Sequence, residues 1–296
     1  MKRKFRLVAG LTALILAAAP VGAKPPIWLA SRGQTRLLLF GSIHLLPAEL
    51  DWAPSALTRA EARARSLWFE MPIDAASDAA ARRDSLAKGA VPPGSTLFSS
   101  IPPRVADKVR RAALAVGVDP TALAPLRPWL ADVSLTLRAD MIAGGSAADG
   151  VERRVQAAVP LSTERRSFET ASQQIDFLAE APLTQQIASL EATADEILER
   201  PKTYRAVLRE WLAGDLDGLQ RDALEPVRRA SPALFERLIT SRNRRWALIL
   251  GREARRGLGL VVVGMGHMIG PDGLPELLRR QGFAVTRLAS EAMASD

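Results

Sequence analysis

The chain has 296 residues, of which 48% are hydrophobic and 24% charged. That is the composition of one or two globular domains with a sizeable core, and it excludes a largely disordered chain and a polytopic membrane protein. Cysteine is absent, which removes disulfides, thiolate metal sites, iron–sulfur clusters and thiol nucleophiles. The formal net charge is +8, but Lys2, Arg3, Lys4 and Arg6 crowd the first six residues. The remaining excess is thinly spread and mostly arginine (34 Arg against 6 Lys), which argues against nucleic acid as a partner.

In chain order, residues 1–23 read as a signal peptide. A basic start is followed by an apolar run from Leu7 to Ala19, too short to span a bilayer, then Pro20 and the small residues Val21-Gly22-Ala23. Cleavage is expected after Ala23, with a periplasmic or secreted product that has no membrane span after signal removal. Leu37-Leu38-Leu39-Phe40 is the first apolar strand, running into Gly41. Pro54 to about Ala64 has helical spacing, with Leu57, Ala60 and Ala64 on one face. Leu67-Trp68-Phe69 is a second strand, running into Glu70.

The middle is mostly helical. Ile187, Leu190, Ala194 and Ile197 share one face, and Tyr204, Val207, Leu208, Trp211 and Leu212 another. Leu161–Phe168 is a candidate extra strand leading into Glu169. On a helix carrying Arg242-Asn243-Arg244-Arg245-Trp246, the residues Trp246, Ile249 and Leu250 are expected to face inward and the arginines solvent. Leu260-Val261-Val262-Val263 then runs into Gly264. Asp272 is a candidate N-cap for a last helix, Gly282 its end, and Phe283–Leu288 a weaker strand.

The fold class expected is α/β. Two pseudo-repeated halves, each strand–GxxH–helix–strand, form a mixed β core with a large helical middle insertion. Residues 24–296 make a single domain, the core coming from about 30–75 and 245–290 and the insertion covering about 76–244.

Both histidines of the chain, His44 and His267, end a Gly-x-x-His directly after an apolar strand. Ligands bind beyond the carboxyl ends of parallel strands, where glycine lets the backbone turn and approach closely. Glu70 follows three large apolar residues, a place where a carboxylate needs a partner. Two imidazoles and a carboxylate at one sheet edge form the donor set of a catalytic divalent-metal site with an open position. H-E-x-x-H, G-x-S-x-G and the P-loop motif are all missing.

Leu39-Phe40-Gly41-Ser42-Ile43-His44-Leu45-Leu46-Pro47 resembles the opening motif of the TraB/PrgY/GumN family, which includes the Tiki metalloproteases. Leu67-Trp68-Phe69-Glu70 resembles its glutamate-ending strand. Phe168-Glu169-Thr170 with Gln174 is similar to its L-E-T…Q motif, with Phe168 where leucine is usual. Arg242-Asn243 resembles its R-N element, and Gly264-Met265-Gly266-His267 with Gly270, Gly273 and Gly282 its closing segment. The likeness runs from about residue 35 to 288 and is nearest the bacterial GumN-like branch. It implies that His44, Glu70 and His267 are metal ligands or their immediate partners. It also implies that Glu70, Arg242 and Asn243 are polar catalytic residues, and that the reaction is metal-dependent peptide cleavage with a divalent ion such as zinc, manganese or cobalt. The function expected is an exported metal-dependent hydrolase, peptidase-like, with a peptide or protein substrate. The alternatives are a haem- or metal-binding protein without turnover, and an envelope or polysaccharide-assembly factor with a vestigial site.

Overall fold

The computed structural model describes residues 24–288, so the signal-peptide segment lies outside the described residues. Strands β1 (Ile27–Arg32) and β2 (Thr35–Ser42) form a hairpin, followed by α1 (Ser55–Glu61) and β3 (Ser66–Phe69). The middle contains α2 (Ala75–Gly89), α3 (Pro103–Ala115), α4 (Pro128–Ile142) and α5 (Val151–Ala158), then β4 (Glu164–Ser167). After it come α6 (Ala171–Ala179), α7 (Leu183–Glu199), α8 (Thr203–Ala213) and α9 (Ser241–Glu253). The chain closes with β5 (Gly257–Gly264), α10 (Leu274–Arg280) and β6 (Ala284–Leu288).

The six strands form one sheet in the order β4-β3-β5-β2-β1-β6. Strands β4, β3, β5 and β2 are mutually parallel, and β1 is antiparallel to both its neighbours. The expected strand–GxxH–helix–strand plan is present twice, as β2–α1–β3 and as β5–α10–β6. The two units are not equivalent in the sheet: β3 lies beyond β5, whereas β6 lies beyond β2 and β1. This interleaving makes β2 and β5 neighbours, with Gly41 opposite Val263 and Ser42 opposite Gly264. The two Gly-x-x-His loops therefore leave the sheet side by side, although they are 223 residues apart in sequence.

The apolar runs become central strands because they have no polar face to offer solvent. Leu37 to Phe40, Leu67 to Phe69 and Leu260 to Val263 are all buried. β4, with the sequence Glu-Arg-Arg-Ser, is an edge strand whose charges suit an open edge. The candidate strand in Leu161–Phe168 is thus present, and the middle of the chain supplies a strand to the sheet as well as helices.

Two other details differ from expectation. Asp272 is not the cap of α10: Gly273 takes that position and Pro275 enters the first turn, where a missing N–H costs nothing. β1 carried no strong pattern, since it is six residues long and follows two prolines.

Two apolar cores result. The main one lies on the sheet and includes Trp211 of α8. A second joins Val105, Val109 and Ala112 of α3 to Leu135 of α4 and to Leu190, Ala194 and Ile197 of α7. Among the described residues no helix is long and apolar enough to cross a membrane.

Trp211 ties the main core to the first Gly-x-x-His loop. It is fully buried and donates from Nε1 to the Gly41 carbonyl at 2.8 Å. Gly41 itself is a close approach: a Cβ there would lie 2.2 Å from Met265 Sδ and 3.0 Å from Met265 Cα. Trp211→Phe keeps an aromatic ring but leaves the Gly41 carbonyl unsatisfied. It is expected to cost about 1–3 kcal/mol in urea unfolding, and an unchanged midpoint would remove this bond from the account.

Candidate functional site

The carboxyl ends of four parallel strands deliver the polar residues in spatial order: Glu169 after β4, Glu70 after β3, His267 after β5 and His44 after β2. Pairing continues past the strands, with the Glu169 N–H donating to the Glu70 carbonyl at 2.8 Å. The Gly264 N–H donates to Glu70 Oε1 at 2.7 Å. Gly264 marks the shared space: a Cβ built on it would lie 3.2 Å from Glu70 Oε1, 3.7 Å from His267 Cδ2 and 3.8 Å from His44 Nε2.

Helix α9 brings Arg242 and Asn243 across this edge. It is preceded by a π-helical turn, Glu236–Thr240, closed by the Ser241 N–H on the Glu236 carbonyl. π turns of this kind recur at functional sites, and here Arg242 Nη1 donates to the Leu238 carbonyl within the turn at 2.9 Å. The expectation that Arg242 faces solvent is corrected: Arg242 and Asn243 are buried, while Arg244 and Arg245 are exposed. Arg242 Nη2 donates to Glu70 Oε2 at 2.6 Å and to Glu169 Oε2 at 2.8 Å, and Nε donates to Glu169 Oε1 at 3.0 Å. The Glu169 side chain is only 1% exposed. It also accepts from Arg245, from Trp246 Nε1 at 3.0 Å and from Gln174 Nε2 at 3.4 Å. A buried carboxylate this well supplied with donors acts as an anchor for the guanidinium. Phe168 stacks between Trp68 and Trp246 at 5.3 and 5.0 Å, and Trp246 meets the His267 ring at 4.5 Å. An aromatic ring at position 168 thus continues a wall that ends on the histidine.

The two histidines differ in setting. His267 is buried. Asn243 spends its amide N–H groups on the carbonyls of His267 (3.4 Å) and Asp272 (2.8 Å), which leaves Oδ1 to accept from His267 Nδ1 at 2.6 Å. The network therefore assigns Nδ1–H and a bare Nε2, which stands 3.6 Å from Glu70 Oε1 and 3.3 Å from Arg242 Nη1. Burial lowers the His267 pKa to about 4; Glu70 opposes that shift and the Arg242 charge assists it. His44 has a ring 65% exposed, with Nδ1 2.7 Å from Glu152 Oε1. The Glu152 charge raises its pKa to about 9, against the cost of burial. Burial pushes Glu70 up, but His267, Arg242, His44 and the Gly264 N–H together outweigh it and hold the carboxyl at about 2.

All five residues singled out from the sequence, His44, Glu70, Arg242, Asn243 and His267, lie at this one edge. Among the described residues, however, no group of three or more His, Asp or Glu side chains is gathered so that it could hold a metal ion. Glu70 Oε2 is engaged by Arg242 and by Gln174 Nε2 (3.1 Å). Two partners were not on the sequence's site list. Glu169 repeats the Glu70 pattern, a glutamate just past a short strand. Glu152 offers only a weak signal, an acid in the first turn of a helix after Gly150.

No curated protein and no solved structure matches the chain. A family model, that of the TraB/PrgY/gumN family, matches residues 26–287. That span takes in every strand of the sheet except its last residue and all the polar groups at its carboxyl edge, and the chain belongs to the TraB/PrgY/gumN family.

Proposed function

We propose that this chain is a hydrolase of peptide-type acyl bonds that works with a divalent metal ion. One observation carries the reading. Two imidazoles from adjacent strands each have Nδ1 tied to an acceptor, and the Nε2 atoms are left for the space beside Glu70 Oε1. Fixing the outer nitrogen in this way is how ligating histidines are oriented. The donor set, two imidazole nitrogens and a carboxylate, fits a zinc-, manganese- or cobalt-class ion with positions left open. His44, Glu70 and His267 would hold it. When bound, such an ion supplies Lewis acidity and an acidified water.

The remaining work falls to the chain itself. Asn243 holds His267 in one tautomer, and Arg242 keeps Glu70 ionised and fixed through Oε2. Glu70 Oε1 is the atom free to take a proton from the attacking water. The exposed face of His44 leaves one side open to a substrate.

A second reading rests on Arg242, whose guanidinium already stands between Glu70 and His267. On that reading its charge steadies the oxyanion and hydrolysis needs no ion. The test is turnover of a fluorogenic peptide library by residues 24–296, first stripped with chelator and then resupplied with Zn²⁺, Mn²⁺ or Co²⁺. Turnover restored only by an ion and lost in His44→Ala and His267→Ala supports the first reading. Turnover indifferent to chelator supports the second, and none under any condition overturns both.

We also propose export, on the basic start, apolar run and small residues of positions 1–23. Mass spectrometry of exported protein should find Lys24 first; an intact Met1 on membrane-bound material would contradict cleavage.

A further inference from the structure

We propose that Glu152 is the positioning residue of His44, keeping its proton on Nδ1 so that Nε2 is the nitrogen turned to the site. This rests on the hydrolase reading for its purpose, but not for its geometry. The carboxylate is the better fixed of the two groups, its side chain 16% exposed against 65% for the His44 ring. An exposed histidine has several rotamers and two tautomers open to it, and a bond to a fixed acceptor selects one of each. Glu152 Oε1 also accepts from Ser42 Oγ, and Ser42 is buried at the end of β2. The oxygen that receives His44 is therefore oriented from the strand that carries His44.

The backbone around Glu152 is docked on the same loop. Ser146 and Leu46 exchange backbone bonds at 2.9 and 3.2 Å, and the Val151 N–H donates to the Ile43 carbonyl at 3.2 Å. Between them Gly150 comes so close that a Cβ would lie 2.1 Å from the His44 carbonyl oxygen. No side chain fits there without moving backbone. Residues 146–152 thus grip the loop on both sides of His44, and α5 begins at the point that delivers Glu152 from its first turn. His267 is held in the corresponding way by Asn243, from a different helix. Both rings of the chain reach the same space with Nδ1 occupied, through unrelated partners.

A merely structural ion pair would not determine which nitrogen keeps the proton, and that separates the two roles. The experiment is ¹⁵N NMR of histidine-labelled protein from about pH 6 to about pH 10, with His44→Ala assigning the signals. Wild type should keep Nδ1 protonated throughout while Nε2 changes. Glu152→Ala should shift the neutral ring toward Nε2–H, and Glu152→Gln, whose side-chain carbonyl still accepts, should restore Nδ1–H. Metal affinity, read with Mn²⁺ alone, should fall about 10–100-fold in Glu152→Ala and recover in part in Glu152→Gln. The same Nδ1 state in wild type and Glu152→Ala would overturn the proposal. If Glu152→Ala does not fold, a Glu152→Gln that loses Nδ1–H in the folded state overturns it equally. A tautomer change without metal binding in any variant would sustain the positioning role and sink the metal reading instead.

Discussion

Replacing Arg242 by alanine is expected to lower stability by about 3–5 kcal/mol, the largest effect of any single substitution at the site. The argument is one of uncompensated charge. Arg242 is the common partner of two carboxylates, Glu70 and Glu169, both largely withdrawn from water. Truncation leaves Glu169 with Arg245, Trp246 and Gln174, of which only the exposed Arg245 carries charge. Glu70 keeps the Gly264 N–H and Gln174. Calorimetry should show the melting temperature falling by roughly 6–20 °C. Arg242→Lys should recover only part of this, because an ammonium cannot meet both carboxylates with the geometry of a planar fork. A melting temperature within about 2 °C of wild type for Arg242→Ala would mean that Glu169 is satisfied without it.

Acid should unfold the metal-free protein in two overlapping steps traceable to named groups. Glu70 is held at about 2 in the folded chain against an ordinary 4.5. Its contribution is therefore present above about pH 4.5 and is lost as pH falls toward about 2, a difference of about 3 kcal/mol in total. His267 acts in the same direction over a higher window. Its pKa is about 4 in the fold against 6.5 outside it, so the unfolded chain binds the proton first and stability drops as pH falls from about 6.5 to about 4. His44 has the opposite sign: raised to about 9, it contributes below about pH 6.5 and is lost as pH rises through about 9. Urea titrations of wild type should thus be most stable near pH 6–7. Glu70→Gln removes the low-pH limb, and the difference between wild type and this variant should shrink between about pH 4.5 and about pH 2. A constant difference over that range would mean that Glu70 is not ionised by its neighbours. In a hydrolysis assay the same variant should lose about 10²–10⁴ of the rate if Glu70 is the base. If Glu70 is a ligand it should lose metal affinity as well.

The strands were legible where the sequence was unambiguous. Leu37–Phe40, Leu67–Phe69 and Leu260–Val263 have no polar residue to place in water, so burial on both faces follows from composition. The residue after each run was then fixed at a strand end, which is why His44, Glu70 and His267 could be named. Their neighbourhood followed less directly. It depends on β2 and β5 being adjacent, and neither spacing nor periodicity encodes which strands pair over 223 positions. Arg242 shows a different failure. Helical periodicity put it on the polar face, and its charge suggested water, yet two carboxylates from other strands make that face an interior one. Glu152 lies 108 residues from His44 and belongs to a helix whose apolar face, Val151 and Val155, explains the local sequence completely. A polar contact of that kind leaves no periodic trace, because one hydrogen bond needs one residue.

The central claim is that His44, Glu70 and His267 act as one donor set, and metal content tests it most directly. Residues 24–296, stripped, reloaded with Mn²⁺, Co²⁺ or Zn²⁺ and desalted, should carry about one ion per chain by mass spectrometry of the metal. His44→Ala and His267→Ala, shown to be folded by circular dichroism, should carry none. Equal metal content in wild type and both variants would contradict the claim, as would a wild type that retains no ion while still hydrolysing peptide.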